Sequence, residues 1–216
     1  MTLKDLRFYL PNSVRTTLRK AYFLPQDIYD TLFRRRNLMV PPRGKVFTGI
    51  GDFEKEGRRT FQNIMRNIPL TPEAKVCDVG CGLGRLALPF TTYLSSEGLF
   101  EGFDIVKEGI DWCQKKITPD FPNCNFQLCD IYNEKYNPKG NNKAKEYRFP
   151  FPDNHFDLVY LGSVFTHMLP EDVTNYLEEI YRILKPSGHA YITYFLMDET
   201  KKNRVQKRSE GLSFTF

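Results

Sequence analysis

Short apolar runs alternate with segments that carry apolar residues at helical spacing along residues 72 to 196. The short runs are typical of buried strands, and the longer segments have the period of amphipathic helices. Helices are predicted over 83–94, over 109–117 and from Pro170 up to the break at Lys185-Pro186-Ser187-Gly188. The predicted strands are KVCDV, LFEGFDIV, NFQLCDI, HFDLVYLG and AYITYFL. This alternation predicts a Rossmann-like, doubly wound α/β fold, with a mostly parallel sheet, helices on both faces and ligands at the carboxyl ends of the strands.

The first sixty residues have a different texture, helical and irregular. Pro25 is expected to start a helix that runs to Arg34–Arg36, and the stretch MVPPRGK ends it. Asp52 is a plausible N-cap of the next helix, whose apolar positions fall on one face. We therefore predict a helical extension or lid over residues 1–70, followed by a main domain over 71–216.

Charge and composition narrow the class of protein. Residues 1–60 hold thirteen Lys or Arg against six Asp or Glu, which fits either an anionic partner (nucleic acid or a lipid surface) or an ordinary solvated face. The five cysteines include no C-x-x-C pair, so buried free thiols are expected, and the three histidines have no metal-ligand spacing. Asp5 and Arg7 interrupt any signal peptide, and no apolar run reaches the roughly 20 residues of a membrane span. A soluble, cytoplasmic protein is predicted.

The candidate chemistry lies in VCDVGCGLGRLALPF, residues 76–90, where three glycines alternate at the end of a strand. A phosphate-binding P-loop needs a Lys-Ser or Lys-Thr that is absent here. The dinucleotide fingerprint would place Arg85 where a small residue is needed. Asp78 would repel a pyrophosphate but would suit a cationic ligand.

This run resembles motif I, D/E-x-G-x-G-x-G, of class I S-adenosylmethionine-dependent methyltransferases. Four further places are similar to the small-molecule group of that family. Asp104 ends the second predicted strand, twenty residues after Gly84, and Asp130 with Ile131 follows the third. The segments FPFPDNHFDLVYLGSVFTHM and EEIYRILKPSGHAYITYF resemble its fourth and fifth strands with the helix between, although Ser187 replaces a glycine.

The resemblance implies S-adenosyl-L-methionine as the cofactor. The glycine turn would approach its methionine part, Asp104 would accept the ribose hydroxyls, and Asp130 would bind the adenine amino group. The implied cofactor-binding residues are Asp78, Gly80, Cys81, Gly82, Gly84, Asp104, Ile105, Asp130, Ile131 and Leu161. A general base is needed only if the acceptor atom carries a proton; His167 is then the candidate, and a structural histidine is its alternative.

The implied activity is methyl transfer to a small organic acceptor, without a metal. The N-P-P-Y or D-P-P-Y signature of amino-methylating DNA, RNA and glutamine enzymes is absent, since the sequence reads Leu161-Gly162-Ser163-Val164. Two alternatives stay open: a cofactor-binding domain without catalysis, and an RNA- or lipid-directed enzyme that uses the basic N-terminal segment. The last two strands of the family's sheet are expected to be missing or shortened, which predicts a fragment of a longer chain. The oligomeric state is left open.

Overall fold

A computed structural model of the chain describes residues 12–47 and 51–194. Five strands carry the fold: β1 Lys75–Val79, β2 Leu99–Asp104, β3 Cys124–Leu128, β4 Phe156–Gly162 and β5 Leu184–Thr193. Within the described ranges, five α-helices surround them: α1 Asn12–Leu32, α2 Phe53–Asn67, α3 Ala87–Tyr93, α4 Lys107–Lys116 and α5 Pro170–Ile183. Short 3₁₀ turns lie at Arg43–Lys45, Ala144–Glu146 and Phe165–His167.

The strands form one parallel sheet in the order β3-β2-β1-β4-β5. Alternate residues of β1 point to opposite faces, so Val76 enters one apolar core while Cys77 and Val79 enter another. The first core includes residues of α2, α3 and α4, and the second includes residues of α5. The predicted doubly wound α/β fold is thus confirmed for the described residues.

Three predicted elements begin elsewhere than expected. Helix α3 begins at Ala87 rather than Leu83, because the chain makes left-handed turns at alternate glycines before it can become helical. Pro25 lies inside α1 instead of starting it. Gly44 packs against the backbone of Lys20 and the carboxylate of Asp27, on either side of the proline, so tertiary contacts override the helix-breaking tendency.

Strand β5 starts directly after α5, although the sequence predicts that KPSG separates the two. Phe156 pairs with Leu184 and Leu158 pairs with His189. The residues between them form a bulge, which lets the chain reverse from helix to strand without a separate loop.

The two N-terminal helices pack differently. Asp52 caps α2 as predicted, by accepting a hydrogen bond from the Lys55 amide at 2.9 Å, and Ile64 of α2 is fully buried in the first core. Helix α1 is fixed instead by its Asp27 carboxylate, which accepts hydrogen bonds from the amides of Arg43 at 2.7 Å and Gly44 at 2.9 Å.

All five cysteines are free and buried, as the sequence predicts. Among the described helices, none is long and apolar enough to cross a bilayer. Two expectations fall outside the described residues: the end of AYITYFL, and the missing or shortened last strands.

Candidate functional site

The glycine turn lies where the strand order reverses, between β1 with β2 on one side and β4 on the other. In open α/β sheets this point, at the carboxyl ends of the strands, is where ligands bind. Gly80, Gly82 and Gly84 all have positive φ angles, of 78°, 57° and 76°. A side chain at any of them would be strained, so the backbone itself forms the surface of the turn.

Neighbouring elements press directly on this turn. A Cβ atom at Gly80 would lie 2.5 Å from Cγ2 of Val164, which follows β4. On the other side, a Cβ atom at Gly109 of α4 would lie 2.3 Å from the Gly82 carbonyl oxygen. The glycine motif of the sequence does not include Gly109 or Val164. Gly109, an isolated glycine in the first turn of a predicted helix, is the one sequence feature that indicates such a close contact.

Asp104 ties the ends of β1 and β2 together. Its Oδ2 accepts a hydrogen bond from the Gly82 amide at 2.7 Å, and its Oδ1 accepts one from the Val106 amide at 2.8 Å. The amides of Gly80 and Cys81 both donate to the Phe103 carbonyl. Burial raises the pKa of Asp104, while the hydrogen bonds from the Val106 and Gly82 amides act in the opposite direction.

Asp78 is a second carboxylate on β1, and its residue is only 2% exposed. Burial, and then repulsion from Asp104, raises its pKa to about 8. It pairs in register with Tyr160 of β4; burial and the nearby Asp78 raise the pKa of that phenol. Two acids thus share a desolvated region beside the glycine turn.

The two acids favour a cation. In the part of the chain that the structure describes, no Lys or Arg forms an ion pair with either carboxylate. Repulsion between buried like charges is relieved by a proton or by a positive ligand. S-adenosylmethionine, which carries an ammonium, a sulfonium and ribose hydroxyl donors, fits this donor set, whereas a pyrophosphate does not.

Helix α2 covers the turn from the N-terminal side. A Cβ atom at Gly57 would lie 2.4 Å from the carbonyl oxygen of Arg85, so the helix touches the backbone there. The Arg85 guanidinium lies 5.0 Å from the centre of the Phe53 ring. Arg85 is therefore part of a helix-to-turn contact, at the place where a dinucleotide fold needs a small residue.

The end of β4 holds the other predicted residues. Leu161 pairs with Val79 of β1 and is fully buried in the second core. Ser163 follows with a φ angle of 61°, and its amide donates to Oγ1 of Thr193 at 2.9 Å. Nothing in the sequence signals this left-handed serine, because glycine or asparagine is the usual residue there.

His167 lies in the 3₁₀ turn after β4 and is exposed. Its ring meets the ring of Tyr136 edge to face, with centroids 5.5 Å apart. Tyr136 belongs to the polar segment 132–147 between β3 and β4. Partial desolvation, and then Lys135, lower the pKa of His167, so the imidazole is neutral at pH 7.

The remaining predicted residues lie around the ends of β2 and β3. Ile105 is half-buried, Cys81 is buried in the first core and Ile131 in the second. Asp130 is exposed, and its Oδ2 accepts a hydrogen bond from Asn141 at 2.6 Å. The structure thus brings the glycine turn together with Asp78 and Asp104. Asp130 lies after β3 and His167 after β4, on either side of this site.

A metal site has no counterpart in this arrangement. Within residues 12–47 and 51–194, no group of three His, Cys, Asp or Glu side chains is placed to hold an ion.

Comparison with known proteins gives a family and a fold. The family model described as "Methyltransferase domain" matches residues 77–192, more than half of the chain. The phosphoethanolamine N-methyltransferase of Plasmodium falciparum is 28% identical, over 79% of this chain and 58% of that protein. The tRNA N(3)-cytidine methyltransferase METTL2 of Gallus gallus is 29% identical, over 53% of this chain and 28% of that protein. The chain thus spans less than two thirds of the length of these relatives.

The crystal structure of the PH0226 protein from Pyrococcus horikoshii OT3 superposes with a TM-score of 0.53 at 19% identity, over 76% of this chain and 63% of that one. At that identity the likeness establishes the fold alone. The family match reaches from the start of the glycine turn to the end of β5 and includes both acids of the site. The chain therefore belongs to the methyltransferase-domain family, and its sheet carries a class I S-adenosylmethionine-dependent methyltransferase domain.

Proposed function

We propose that the protein transfers a methyl group from S-adenosyl-L-methionine to a small organic acceptor. The observation that carries the proposal is the pair of buried carboxylates, Asp78 and Asp104, beside a turn that has glycine at three alternate positions and therefore no side chains there. This site suits a cationic, hydroxyl-bearing cofactor better than a phosphorylated one. The family match supports the same cofactor.

Each residue of the turn has a proposed role toward the cofactor. Asp78 would hold the ammonium group, and the backbone of Gly80, Gly82 and Gly84 would lie against the methionine part. Asp104 would accept the ribose hydroxyls, since its oxygens already face the turn. Ile105, Asp130 and Ile131 would bind the adenine, Cys81 would support the turn, and Leu161 would underlie the reactive end.

When bound, the cofactor supplies an activated methyl group on a sulfonium sulfur. The protein's part is then to place the acceptor in line and to exclude water, so catalysis can come largely from positioning and desolvation. The buried side chains at the end of β4, Leu161 above all, provide the apolar floor for this.

His167 is the candidate general base if the acceptor atom carries a proton. Its lowered pKa leaves the imidazole able to accept a proton at neutral pH. Replacement by glutamine is expected to lower kcat at least about tenfold and to leave the affinity for S-adenosylhomocysteine unchanged. A structural histidine would instead show the same kcat, or a loss of binding that follows a loss of stability.

A small acceptor is favoured over RNA by the extent of the similarity. The phosphoethanolamine enzyme aligns with 79% of this chain, whereas the tRNA enzyme aligns with 53%. The absence of the N-P-P-Y signature agrees. A cytoplasmic location remains part of this proposal.

The cofactor proposal is tested by calorimetric titration with S-adenosylhomocysteine. Micromolar binding is expected for the wild type, a loss of at least about tenfold for Asp104→Ala, and no binding of NADH. Asp157→Ala is the matched control. The Asp157 carboxylate also accepts a hydrogen bond from a backbone amide, that of Lys75, but Lys75 lies at the end of β1 that is away from the glycine turn. Equal losses in both variants would show that Asp104 acts only through stability.

The acceptor is tested by transfer of label from methyl-tritiated cofactor, with cell extract separated into small molecules, RNA and protein. Label in the small-molecule fraction is expected. Label in RNA would overturn the small-acceptor proposal in favour of the RNA-directed alternative. Binding of the cofactor without transfer to any fraction would favour the non-catalytic alternative.

A further inference from the structure

Helix α1 is amphipathic, but its polar side faces the rest of the protein and its apolar side faces outward. The side chains that it turns toward the rest of the protein include Arg19, Phe23, Asp27 and Asp30, which recur at intervals of three or four residues and are at least partly buried. Two of these four are acids. A helix that docks on a core normally turns an apolar stripe inward, so the inward face of α1 is polar where an apolar one is expected.

The contacts that fix α1 are accordingly hydrogen bonds and ion pairs. Besides the two amides bound by Asp27, Nε of Arg19 donates to the carbonyl oxygen of Arg43 at 3.1 Å. Lys20 pairs with Glu108 of α4 at 3.0 Å. Polar contacts that involve both acids of the segment, Asp27 and Asp30, therefore fix the helix. Its exposed apolar residues stay outside the core.

The opposite face of α1 is apolar and exposed. Leu18 is 55% exposed, Tyr22 79% and Leu32 73%. At 100° per residue these positions, together with Val14, Ile28 and Tyr29, fall within one stripe of the helix. The stripe continues past the end of the helix, since Phe33 and Leu38 are exposed as well.

The exposed charges of residues 16–47 themselves are of one sign. Residues 16–47 hold seven Lys or Arg and two Asp, and the two Asp are the buried Asp27 and Asp30. Arg34 and Arg35 are exposed at the end of the helix. A left-handed Arg34 ends the helix there, and its φ angle is 50°. The exposed charge of this segment is therefore basic, and it borders the apolar stripe.

A shallow groove of about 420 Å³ runs along one flank of the stripe. Its lining includes Leu24, Ile28, Leu32 and Pro42, together with Asp27, Lys20 and Lys45. Its apolar lining extends the exposed apolar surface beside the stripe.

We propose that α1 lies on an anionic membrane surface, with its apolar stripe in the interfacial region and its basic residues on the headgroups. Such helices combine an exposed apolar face with flanking Lys and Arg, and tyrosines at their boundary are well suited to the headgroup region. A membrane fits better than RNA, because phosphate binding needs the cations but gives no use to an exposed apolar stripe. This inference is independent of the proposed methyl transfer.

Flotation of the full chain with lipid vesicles tests the proposal. Binding is expected to vesicles of phosphatidylcholine with 30% phosphatidylglycerol and to be at least about tenfold weaker to phosphatidylcholine alone, since each basic residue near the surface contributes about fivefold. The binding is expected to weaken with salt without vanishing, because insertion of the apolar stripe is not screened.

Two variants separate the apolar and the electrostatic contributions to vesicle binding. The triple variant L18Q/I28Q/L32Q is expected to lose binding to the anionic vesicles at least tenfold, and R34Q/R35Q is expected to lose it to a similar extent. All five positions are exposed, so the fold is expected to persist, and this is checked by circular dichroism and by unchanged binding of S-adenosylhomocysteine. Tyr181→Gln is the control, since Tyr181 of α5 is 84% exposed and lies outside the stripe.

The other occupants are distinguishable outcomes. Vesicle binding that survives the triple variant overturns the proposal. So does an RNA affinity that depends on Arg34 and Arg35 but not on Leu18, in the absence of vesicle binding. A concentration-dependent dimer that L18Q/I28Q/L32Q dissociates, again without vesicle binding, would show that a second copy covers the stripe.

Discussion

Two carboxylates side by side at the carboxyl ends of β1 and β2 dominate the chemistry of the site at the scale of single residues. Each is buried, each has a raised pKa, and neither has a cationic partner among the described residues. Such a pair is costly in the ligand-free protein and favourable once a cation arrives. At neutral pH a proton on Asp78 relieves this repulsion, and a cation that binds there can take the place of the proton.

Asp78→Asn tests this cost through the pH dependence of stability. Below about pH 4 the acid is protonated in both states, so it has no effect. Between that pH and about 8 the folded protein keeps a proton that the unfolded chain releases, so the free energy of unfolding falls as the pH rises through this window. Urea denaturation between pH 5 and 8, without ligand, is expected to give a smaller fall for the asparagine variant.

Asp157→Asn is the control for that measurement. Partial burial acts to raise the pKa of Asp157, but the hydrogen bonds from Lys185 and from the Lys75 amide, together with the charges of both lysines, outweigh it and lower that pKa. Its contribution is therefore present above about pH 4 and is lost as the pH falls further, outside the measured window. An Asp78→Asn slope equal to that of the wild type would contradict the assignment.

The sequence predicts these residues better than their surroundings. The spacing D-x-G-x-G-x-G and the acid twenty residues later identify the turn, because glycine positions and strand ends are local properties of the chain. The neighbours Gly109, Val164 and Ser163 escape prediction, since each matters through a contact between residues far apart in sequence. The roles of the predicted residues toward the cofactor remain predictions.

At the scale of elements, helix α2 is in direct backbone contact with the end of the glycine turn. Gly57 allows the helix to touch the Arg85 carbonyl, which directly precedes the segment leading to α3. The glycine turn is thus joined to its own strand, β1, and is also contacted by helix α2 of the N-terminal segment.

Gly57→Ala is expected to destabilise the protein, in contrast to the usual effect of this change inside a helix. Helix propensity alone would stabilise it by about 1 kcal/mol. The added methyl would meet backbone at 2.4 Å, an overpacking that typically costs about 1–3 kcal/mol. Urea denaturation measures the sign, and Gln62→Ala on the exposed side of α2 serves as the control. A more stable Gly57→Ala protein would show that α2 can move away from the turn freely.

Element boundaries show where local prediction stops. Asp52 and Pro170 mark their helices correctly, because capping and the fixed proline φ act within one turn. Pro25 misleads for the opposite reason: its effect on α1 is opposed by contacts of Lys20 and Asp27 with the turn at 43–45. The sheet order is predictable because right-handed crossovers leave few alternatives.

At the scale of the whole molecule, the N-terminal segment divides into two parts. Helix α2 contributes to the first core, whereas α1 contributes none of its described side chains to either core. The sequence predicts a boundary near residue 70, which stays a prediction. The packing suggests that α1 and the turn at 43–45 form the less stable unit, because hydrogen bonds at a surface yield before a buried core does.

Asp27→Ala tests this division. Its carboxylate accepts two amide hydrogens and pairs with Arg36 at 3.6 Å, and hydrogen bonds to a charged group contribute about 1.5–3 kcal/mol each. Amide hydrogen exchange is expected to quicken at least tenfold in α1 and in residues 43–46 and to stay unchanged in β1 and β4. Asp111→Ala, which removes an exposed carboxylate that pairs with Lys107 on its own helix, is the control. Uniformly faster exchange across the sheet would mean that α1 unfolds together with the core, and the helix would then be a part of the methyltransferase domain rather than an extension attached to it.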